Sequence, residues 1–566
     1  MNKNFKENIS VVLSGEAGQG IQTIENLLTR ILKDDGFNVF ATKEYMSRIR
    51  GGSNSTEIRV GKDAVRSHSS NIDILIPLTK ESVEHLKDTI SSETIIIADM
   101  KNLKIDYSNA VDVPFFDIAK EIGNRIYSNI VAAGTILALF STEKEIIYSR
   151  MKKIFAKKPE LIDKNIEAVN RGYEIGEKIK NSGIIKIEIE KNSKIKDNIL
   201  INGSEAVALG AMAGGCDSVF SYPMTPGTGV LLSLAQYSKS FGILVEQAED
   251  EIAAINMAIG GWYAGARSMV TTSGGGFALM EEGVSLSGMI ETPVVIHIAQ
   301  RPGPATGLPT RTAQEDLNLA LYSGHGEFPR AIYAPGNLEQ ALKLSRIAFE
   351  TADEYQIPVF ILTDQYFVDS YYNIEKTDLS EVRNENRITE TREDYKRYIL
   401  TENGISPRGI PGYGKGLVIV DSDEHDEYGH LTENLDIRIK MNDKRLSKLD
   451  LLRKNALEPE ILGDDDYKNL IVCWGSNYET LKESLKNLKN TKTAMIHFPQ
   501  LYPLNYDFKK YFEKAEKIIS VENNATGQFS NLLKLELDAE IHERILKYDG
   551  TPFSAEELTE RIKKAI

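Results

Sequence analysis

Short apolar runs rich in β-branched residues alternate along the chain with longer Ala/Gly-rich stretches of helical spacing. The alternation is clearest between residues 217 and 311. Four predicted strands, Asp217–Tyr222, Gly242–Glu246, Ser268–Thr272 and Pro293–Ala299, are separated there by helical segments. Strand–helix–strand order implies a parallel sheet with helices on its faces, and such sheets bind ligands beyond the carboxyl ends of their strands. Each strand runs into an unusual residue set: Pro223-Met224-Thr225-Pro226-Gly227-Thr228, Gln247-Ala248-Glu249-Asp250-Glu251, Ser273-Gly274-Gly275-Gly276 and Gln300-Arg301-Pro302-Gly303-Pro304. All four sets are expected at one rim.

The same alternation extends both ways. A block over 1–195 predicts strands at Ile9–Leu13, Asn38–Thr42, Asp73–Pro77, Thr94–Asp99 and Ala110–Val113, a three-layer α/β unit. The block over 200–385 holds the rim and predicts later strands at Arg330–Tyr333 and Val359–Thr363. Residues 386–462 are charged and weakly periodic and read as a strap between domains. Over 463–566 the alternation returns, with strands at Leu470–Trp474, Thr493–His497 and Lys517–Glu522. The expected architecture is multidomain α/β, with three parallel-sheet domains.

Composition narrows the function classes. With 566 residues, 41% hydrophobic and 26% charged, the chain reads as a globular protein of several domains. A net charge of −15 argues against a nucleic-acid-binding surface. Met1–Glu7 lacks an apolar signal core, and the longest apolar runs, such as Ile130–Phe140, are too short to span a bilayer. A cytoplasmic protein with no membrane partner is expected. Cys216 and Cys473 are the two cysteines and lie far apart. They exclude a disulfide framework, and also an iron–sulfur cluster held by this chain alone, which needs about four thiolates. Any redox centre belongs on another chain.

Candidate chemistry is spread over several loops. Ile9–Leu13 leads into Gly15-Glu16-Ala17-Gly18-Gln19-Gly20 and a helix from Ile21. Such a turn brings backbone amides to a phosphate or is simply tight, and its spacing is not that of dinucleotide folds. Lys43, Arg48 and Arg50 beside Gly51-Gly52 suit a phosphorylated ligand or form a solvated basic loop. At the rim, Pro223 and Pro226 hold the Thr225 hydroxyl in place or merely stiffen a turn. Glu251 opens a helix to Trp262 with Ala254, Ile255 and Ala258 on its face. Its carboxyl is either desolvated, with a raised pKa, or an ordinary first-turn acid favoured by the helix dipole. Arg301, in a Gly/Pro loop extended by Thr306, Thr310 and Arg311, suits bidentate carboxylate binding or ties down its own loop. Ser273–Gly276 admits a cofactor ring or phosphate to the backbone. His325 is a candidate proton carrier or a structural histidine. Asp421–His430 offers oxygen ligands and two histidines in no known loop spacing, and reads rather as a hydrogen-bonded surface segment than as a metal site.

Tyr222–Pro226, Gln247–Glu251, Gln300-Arg301 through Gly307–Thr310, and Gly324–Arg330 together closely resemble the alpha subunit of 2-oxoacid:ferredoxin oxidoreductases. Gly15–Gly20 and Tyr45–Gly52 look like that family's gamma domain, so the chain resembles a fused gamma–alpha subunit. Asp423-Glu424-His425 and Val521-Glu522-Asn523-Asn524 match as well. The resemblance implies a gamma-type domain on the coenzyme A side, a pyrimidine-binding domain of the thiamine diphosphate fold and a transketolase C-terminal-like domain. It implies oxidative decarboxylation of a 2-oxoacid to acyl-CoA, with electrons passed to ferredoxin. A separate beta subunit is implied to hold the cofactor's diphosphate, Mg²⁺ and a [4Fe–4S] cluster. Glu251 is implied to hydrogen-bond the aminopyrimidine ring, with Tyr222, Pro223, Ser273 and Gly274 in the cofactor-binding set. Thr225 and Arg301 are implied to hold the substrate's carbonyl and carboxylate. Thr310 with Lys43, Arg48 and Arg50 are candidates for the coenzyme A side; Gly18, Gly20 and Arg311 complete the cofactor-binding set. Met224, Gly227 and Gly275 depart from residues common in the family and border the substrate region. 2-Oxoglutarate is the expected substrate, with pyruvate, branched-chain or aromatic 2-oxoacids as further readings, or a non-catalytic scaffold for a nucleotide or acyl-CoA.

Overall fold

The computed structural model describes residues 3–16, 20–46, 53–378, 382–488 and 491–566. The chain forms two compact units. One comprises Met1–Ile201, Asp369–Thr377 and Ser554–Glu556; the other comprises Asn202–Val368, Asp378–Phe553 and Glu557–Ile566.

The first unit is built on an eight-stranded sheet. Ala110–Asp112, Ile95–Ala98, Ile74–Pro77 and Asn8–Glu16 run parallel, as the alternating pattern predicts. The other half of the sheet does not. Ser53–Gly61 lies antiparallel to Asn8–Glu16, from Asn8 opposite Gly61 to Glu16 opposite Ser53. Asn38–Glu44 and Tyr371–Ile374 continue antiparallel, and Ile199–Asn202 closes the edge. The expected all-parallel sheet is therefore mixed, and Lys43 belongs to a strand rather than to the loop beyond it. In Ser53–Gly61 the apolar alternation is confined to buried Ile58 and Val60; Ser53, Ser55, Thr56, Glu57 and Arg59 are buried polar side chains. Ser10 Oγ donates to Glu57, and Arg59 donates to the Ser67 carbonyl. The run Ile130–Phe140 lies mostly in Ser128–Leu139, a helix buried along its whole length and packed on Ile162–Asn181. Among the described residues no helix is long and apolar enough to cross a membrane.

The second unit holds two sheets. In the seven-stranded one, Leu244–Gln247, Ser218–Ser221, Ser268–Thr272, Val294–Gln300, Pro358–Asp364 and Ala331–Tyr333 are neighbours in that order and all parallel. Gln500–Tyr502 adds one antiparallel edge strand. In the five-stranded sheet the order is Glu460–Gly463, Thr493–His497, Asn469–Cys473, Lys517–Glu522 and Glu543–Leu546, antiparallel only at the first pair. One apolar core runs from Ile296 and Phe360 through Trp474 and Phe498 to Phe529. Both cysteines are free and buried in this unit.

Within 386–462, expected as a strap, Leu435–Lys454 forms a 20-residue helix. Hydrophobic spacing could not reveal it, because four of the six side chains it buries, Lys444, Arg445, Lys448 and Arg453, are charged. Lys444 and Lys448 both donate to the carboxylate of Glu291, Lys444 at 2.7 Å, with all three side chains at most 2% exposed. Arg397 donates to the Glu291 carbonyl at 2.6 Å. Burial by itself raises the pKa of Glu291, but Lys444, Lys448 and Arg397 together hold it well below the usual carboxylate range. Glu291→Gln removes the only formal negative charge facing the two ammonium groups in these bonds and is expected to destabilise the unit by about 3–5 kcal/mol. Replacing Glu291, Lys444 and Lys448 together by Leu, Met and Met is expected to cost less, since no charge is stranded. Urea unfolding midpoints of the two variants check this; equal losses would contradict it.

Candidate active site

Parallel pairing puts the carboxyl ends of Leu244–Gln247, Ser218–Ser221, Ser268–Thr272 and Val294–Gln300 on one edge of the sheet, the expected rim. The turn after Ser268–Thr272 is its centre. It continues directly into the short helix Gly274–Phe277, and two of its glycines are required by carboxyl groups. A Cβ on Gly276 would stand 2.5 Å from Glu251 Oε1, and one on Gly274 would stand 2.2 Å from Asp316 Oδ1. No side chain larger than hydrogen fits between these acids and the turn.

Glu251 begins the helix Glu251–Tyr263, whose Ala254, Ile255 and Ala258 are fully buried as the spacing predicts. Asp250 takes the capping role, accepting from the Ala253 amide at 2.8 Å. That leaves the Glu251 carboxyl free of capping. It is 3% exposed, and its Oε1 has no hydrogen-bond partner. Burial raises its pKa, and the Asp250 charge adds to the shift.

Arg301 ties down a neighbouring loop rather than its own. Its Nη1 donates to the Thr225 carbonyl at 2.7 Å, tying the two loops together, while its Nε is buried without a partner. Thr225 is half-buried and joined to Pro226 by a cis peptide; Tyr222 is exposed and Pro223 half-buried beside it. Ser273 is fully buried and its Oγ has no partner. Asp316 was not evident in the sequence, where an acid just before a helix reads as a cap. It makes no capping bond to Leu317–Tyr322, and its Oδ2 is buried and unpartnered. Burial pushes the Asp316 carboxyl up to about 7, with Glu315 adding to the shift and Arg301 opposing it. Glu251, Ser273, Arg301 and Asp316 thus each keep a buried polar atom without a hydrogen bond. Native interiors rarely leave such atoms unmet, and these four residues lie around the rim.

The remaining candidates lie elsewhere. Thr310 and Arg311 are half-buried in the loop after Arg301, with Gly550 packed against the Arg311 side chain. In the first unit, Gly20 ends the glycine-rich turn in the left-handed region, φ 79°. With Glu16, Glu25, Lys43, Tyr45 and Asn54 it lines a cavity of about 300 Å³. Lys43 Nζ lies 3.0 Å from Asp369 Oδ1, and the Tyr45 hydroxyl donates to Asp369 Oδ2 at 3.0 Å. Glu25, missed in the sequence because helix spacing made it a surface residue, accepts from Thr56 Oγ1 at 2.6 Å; burial raises its pKa against the lowering influence of Lys43. Gly18, Arg48 and Arg50 lie outside the described residues. His325 is exposed, with Nδ1 3.0 Å from Ser285 Oγ. In Asp421–His430 the polar groups serve the fold. Glu424 accepts from Arg438 and Arg445, and fully buried His425 stacks 3.9 Å from the Tyr398 ring. Asp426 accepts from the amides of Tyr428 and His430. No group of three or more His, Cys, Asp or Glu side chains among the described residues could hold a metal ion.

Comparison with known proteins decides what this edge belongs to. Residues 209–444 match the family model described as pyruvate flavodoxin/ferredoxin oxidoreductase, thiamine diphosphate-binding, and residues 10–175 match that of pyruvate ferredoxin/flavodoxin oxidoreductase. The 2-oxoacid:ferredoxin oxidoreductase alpha subunit of Sulfolobus sp. is 32% identical, across 99% of this chain and 97% of that one. The chain belongs to the 2-oxoacid:ferredoxin oxidoreductase family, as its alpha subunit. A 2-oxoglutarate synthase subunit KorA from Archaeoglobus fulgidus is also 32% identical, over 58% of this chain and 88% of its own. The solved 2-oxoglutarate:ferredoxin oxidoreductase of Magnetococcus marinus superposes with a TM-score of 0.93 at 28% identity, covering 99% of both chains.

Membership makes the rim part of a thiamine diphosphate-dependent oxidoreductase. Its residues fit that cofactor. A buried carboxyl with an unpartnered oxygen offers an aminopyrimidine ring a hydrogen-bonding partner. Gly276→Ala forces a methyl group to 2.5 Å from Glu251 Oε1 and 2.3 Å from Thr272 Oγ1. It is expected to weaken thiamine diphosphate binding by about tenfold or more, equivalent to roughly 1.4 kcal/mol of the overpacking strain. Gly275→Ala, whose Cβ would meet only the Ala305 carbonyl at 3.4 Å, is expected to bind near normally. Cofactor-induced quenching of protein fluorescence measures both.

Proposed function

We propose that this alpha subunit, active only with a beta subunit, catalyses CoA-acylating oxidative decarboxylation of a 2-oxoacid with ferredoxin as electron acceptor (EC 1.2.7.-). The observation that carries the reading is the cluster of buried, unpartnered polar atoms on Glu251, Ser273, Arg301 and Asp316 around the Ser273–Gly276 turn. Bound thiamine diphosphate would supply the nucleophilic carbon and the electron sink for decarboxylation. Glu251 suits the cofactor ring, because burial raises the pKa of its carboxyl and its Oε1 is without a hydrogen-bond partner that a ring nitrogen would supply. Tyr222, Pro223, Ser273 and Gly274 border the same place. The free edge of Arg301 and the Thr225 hydroxyl would hold the substrate's carboxylate and carbonyl oxygen, a charge-assisted contact in a largely dry site.

A beta subunit would bring the rest. With only Cys216 and Cys473, both buried, this chain cannot ligate a [4Fe–4S] cluster, so the cluster, Mg²⁺ and the diphosphate site are assigned to the partner. Coenzyme A is assigned to the gamma-type side, where Gly20 and Lys43 line the cavity, with Gly18, Arg48 and Arg50 in the adjoining segments of the sequence; Thr310 is a separate candidate for coenzyme A, and Arg311 remains in the cofactor-binding set. Accordingly, 1–195 would be the gamma-type domain, 200–385 the pyrimidine-binding domain, 386–462 the strap and 463–566 the transketolase-like domain of a cytoplasmic enzyme. 2-Oxoglutarate is the preferred substrate, supported by the KorA relatives and by the 2-oxoglutarate bound in the Magnetococcus enzyme.

In the co-purified alpha–beta complex, Glu251→Ala is expected to lower CoA-dependent ferredoxin reduction by at least about 100-fold. Near wild-type turnover at saturating thiamine diphosphate would sink the assignment. Arg301→Leu is expected to raise the 2-oxoacid KM by roughly tenfold or more, the loss of a charged hydrogen bond worth about 1.5–3 kcal/mol. Rates on 2-oxoglutarate, pyruvate, 2-oxoisovalerate and indolepyruvate test the substrate.

A further inference from the structure

We propose that Thr271 is a positioning residue for the 2-oxoacid. Its hydroxyl, oriented by His297 in the Nδ1–H tautomer, commits its proton to the Gly227 carbonyl and so fixes the turn that carries Thr225. The proposal rests on the reading that the Thr225 hydroxyl holds the substrate's carbonyl oxygen.

Thr271 and Arg301 hold that turn at three points. At its start, Ser221 Oγ donates to the Thr271 carbonyl at 2.6 Å. In its middle, Arg301 Nη1 donates to the Thr225 carbonyl at 2.7 Å. At its end, Thr271 Oγ donates to the Gly227 carbonyl at 3.0 Å. Thr271 thus grips both ends of residues 222–227. Gly227 lies so close to the same strand that a Cβ on it would stand 2.6 Å from the Thr272 carbonyl oxygen. The Thr271 hydroxyl has one proton to give, and His297 decides where it goes.

His297 interrupts the apolar strand Val294–Gln300 and is fully buried, so its ring nitrogens depend on protein partners. Its Nδ1 lies 2.8 Å from Thr271 Oγ, and its Nε2 lies 2.8 Å from Thr363 Oγ. Burial lowers its pKa to about 3, so the ring is neutral and carries one proton. The end of the chain settles which nitrogen holds that proton. A carbonyl can only accept, so Thr271 spends its proton on Gly227 and its Oγ accepts from Nδ1–H. Nε2 is then bare and accepts from the Thr363 hydroxyl. Every donor in the chain points one way, from Thr363 through His297 and Thr271 to Gly227. In the other tautomer the Thr271 proton turns to Nδ1, and the Gly227 carbonyl loses this bond.

Thr271→Val keeps the side-chain shape and the backbone carbonyl that Ser221 uses, and frees only the Gly227 end of the turn. In the co-purified alpha–beta complex, with whichever 2-oxoacid of the panel turns over fastest, this variant is expected to lose about tenfold in kcat/KM while thiamine diphosphate affinity stays within about twofold. Thr271→Ser is expected to restore the rate. Thr225→Val and Thr271→Val combined are expected to be no worse than Thr225→Val alone, because Thr271 acts through the Thr225 hydroxyl. A wild-type kcat/KM in Thr271→Val overturns the proposal, and so do losses that multiply in the double variant, as a general loss of folding would give. Neutron diffraction from the deuterated wild-type complex tests the tautomer without any substitution. Deuterium is expected on His297 Nδ1; deuterium on Nε2 overturns the proposal whether or not the variants fold. Thr225→Val alone separates the two levels. An unchanged kcat/KM in that variant removes the assignment of Thr225 itself; a lowered value there beside a wild-type Thr271→Val removes only the role of Thr271.

Discussion

A buried carboxyl left without a hydrogen bond costs a fold on the order of 1–3 kcal/mol, and this chain keeps two of them against one glycine turn. Glu251 and Asp316 press on Gly276 and Gly274 from different elements, and each retains an unpartnered oxygen. Much of the second unit is arranged so that this arrangement survives. Asp250 relieves Glu251 of capping, six parallel strands bring the donor segments to one edge, and Arg301 is held by the Thr225 carbonyl rather than by either acid.

The loop beyond the rim is secured from a distance. Gln314 donates to the Trp474 carbonyl at 3.0 Å, and its Oε1 accepts from Asn477 at 2.9 Å and from the Asn523 amide at 3.0 Å. Glu522 in turn accepts from the amides of Phe529 and Ser530. The Val521–Asn524 motif thus has a structural duty. It anchors the segment that presents Glu315 and Asp316 to the five-stranded sheet. Glu291 does the same for Leu435–Lys454 through two lysines. A buried ion set of this kind adds little net stability against an apolar replacement but is intolerant of losing one member.

How much of this was legible depended on whether a residue's role shows in its neighbours along the chain. The rim strands were readable along the chain because short β-rich runs alternate there with helical stretches, Val294–Gln300 being an apolar run buried throughout, and Ala254, Ile255 and Ala258 marked the face behind Glu251 at helical spacing. Ser53–Gly61 was not read as a strand, since five of its buried residues are Ser, Thr, Glu and Arg and only Ile58 and Val60 are apolar core, and the mixed sheet followed from that omission. Leu435–Lys454 escaped for the same reason, burying two lysines and two arginines beside Met441 and Leu452. Lys43 looked like a free cation for a phosphate; its pairing with Asp369 depends on a residue more than three hundred positions away.

By itself, then, the sequence determined the class of fold, the rim, the scarcity of thiolates and, through joint motifs, the family, because each is written in local spacing or in counts. Tertiary structure alone decided which polar atoms on that rim are left without partners. It showed that Arg301 spends one edge on Thr225 and keeps another, that Asp250 rather than Glu251 caps the helix, and that Asp316 turns from its own helix toward Gly274. Whether a buried group is satisfied is a property of everything around it in space, and distant segments supply most of those surroundings.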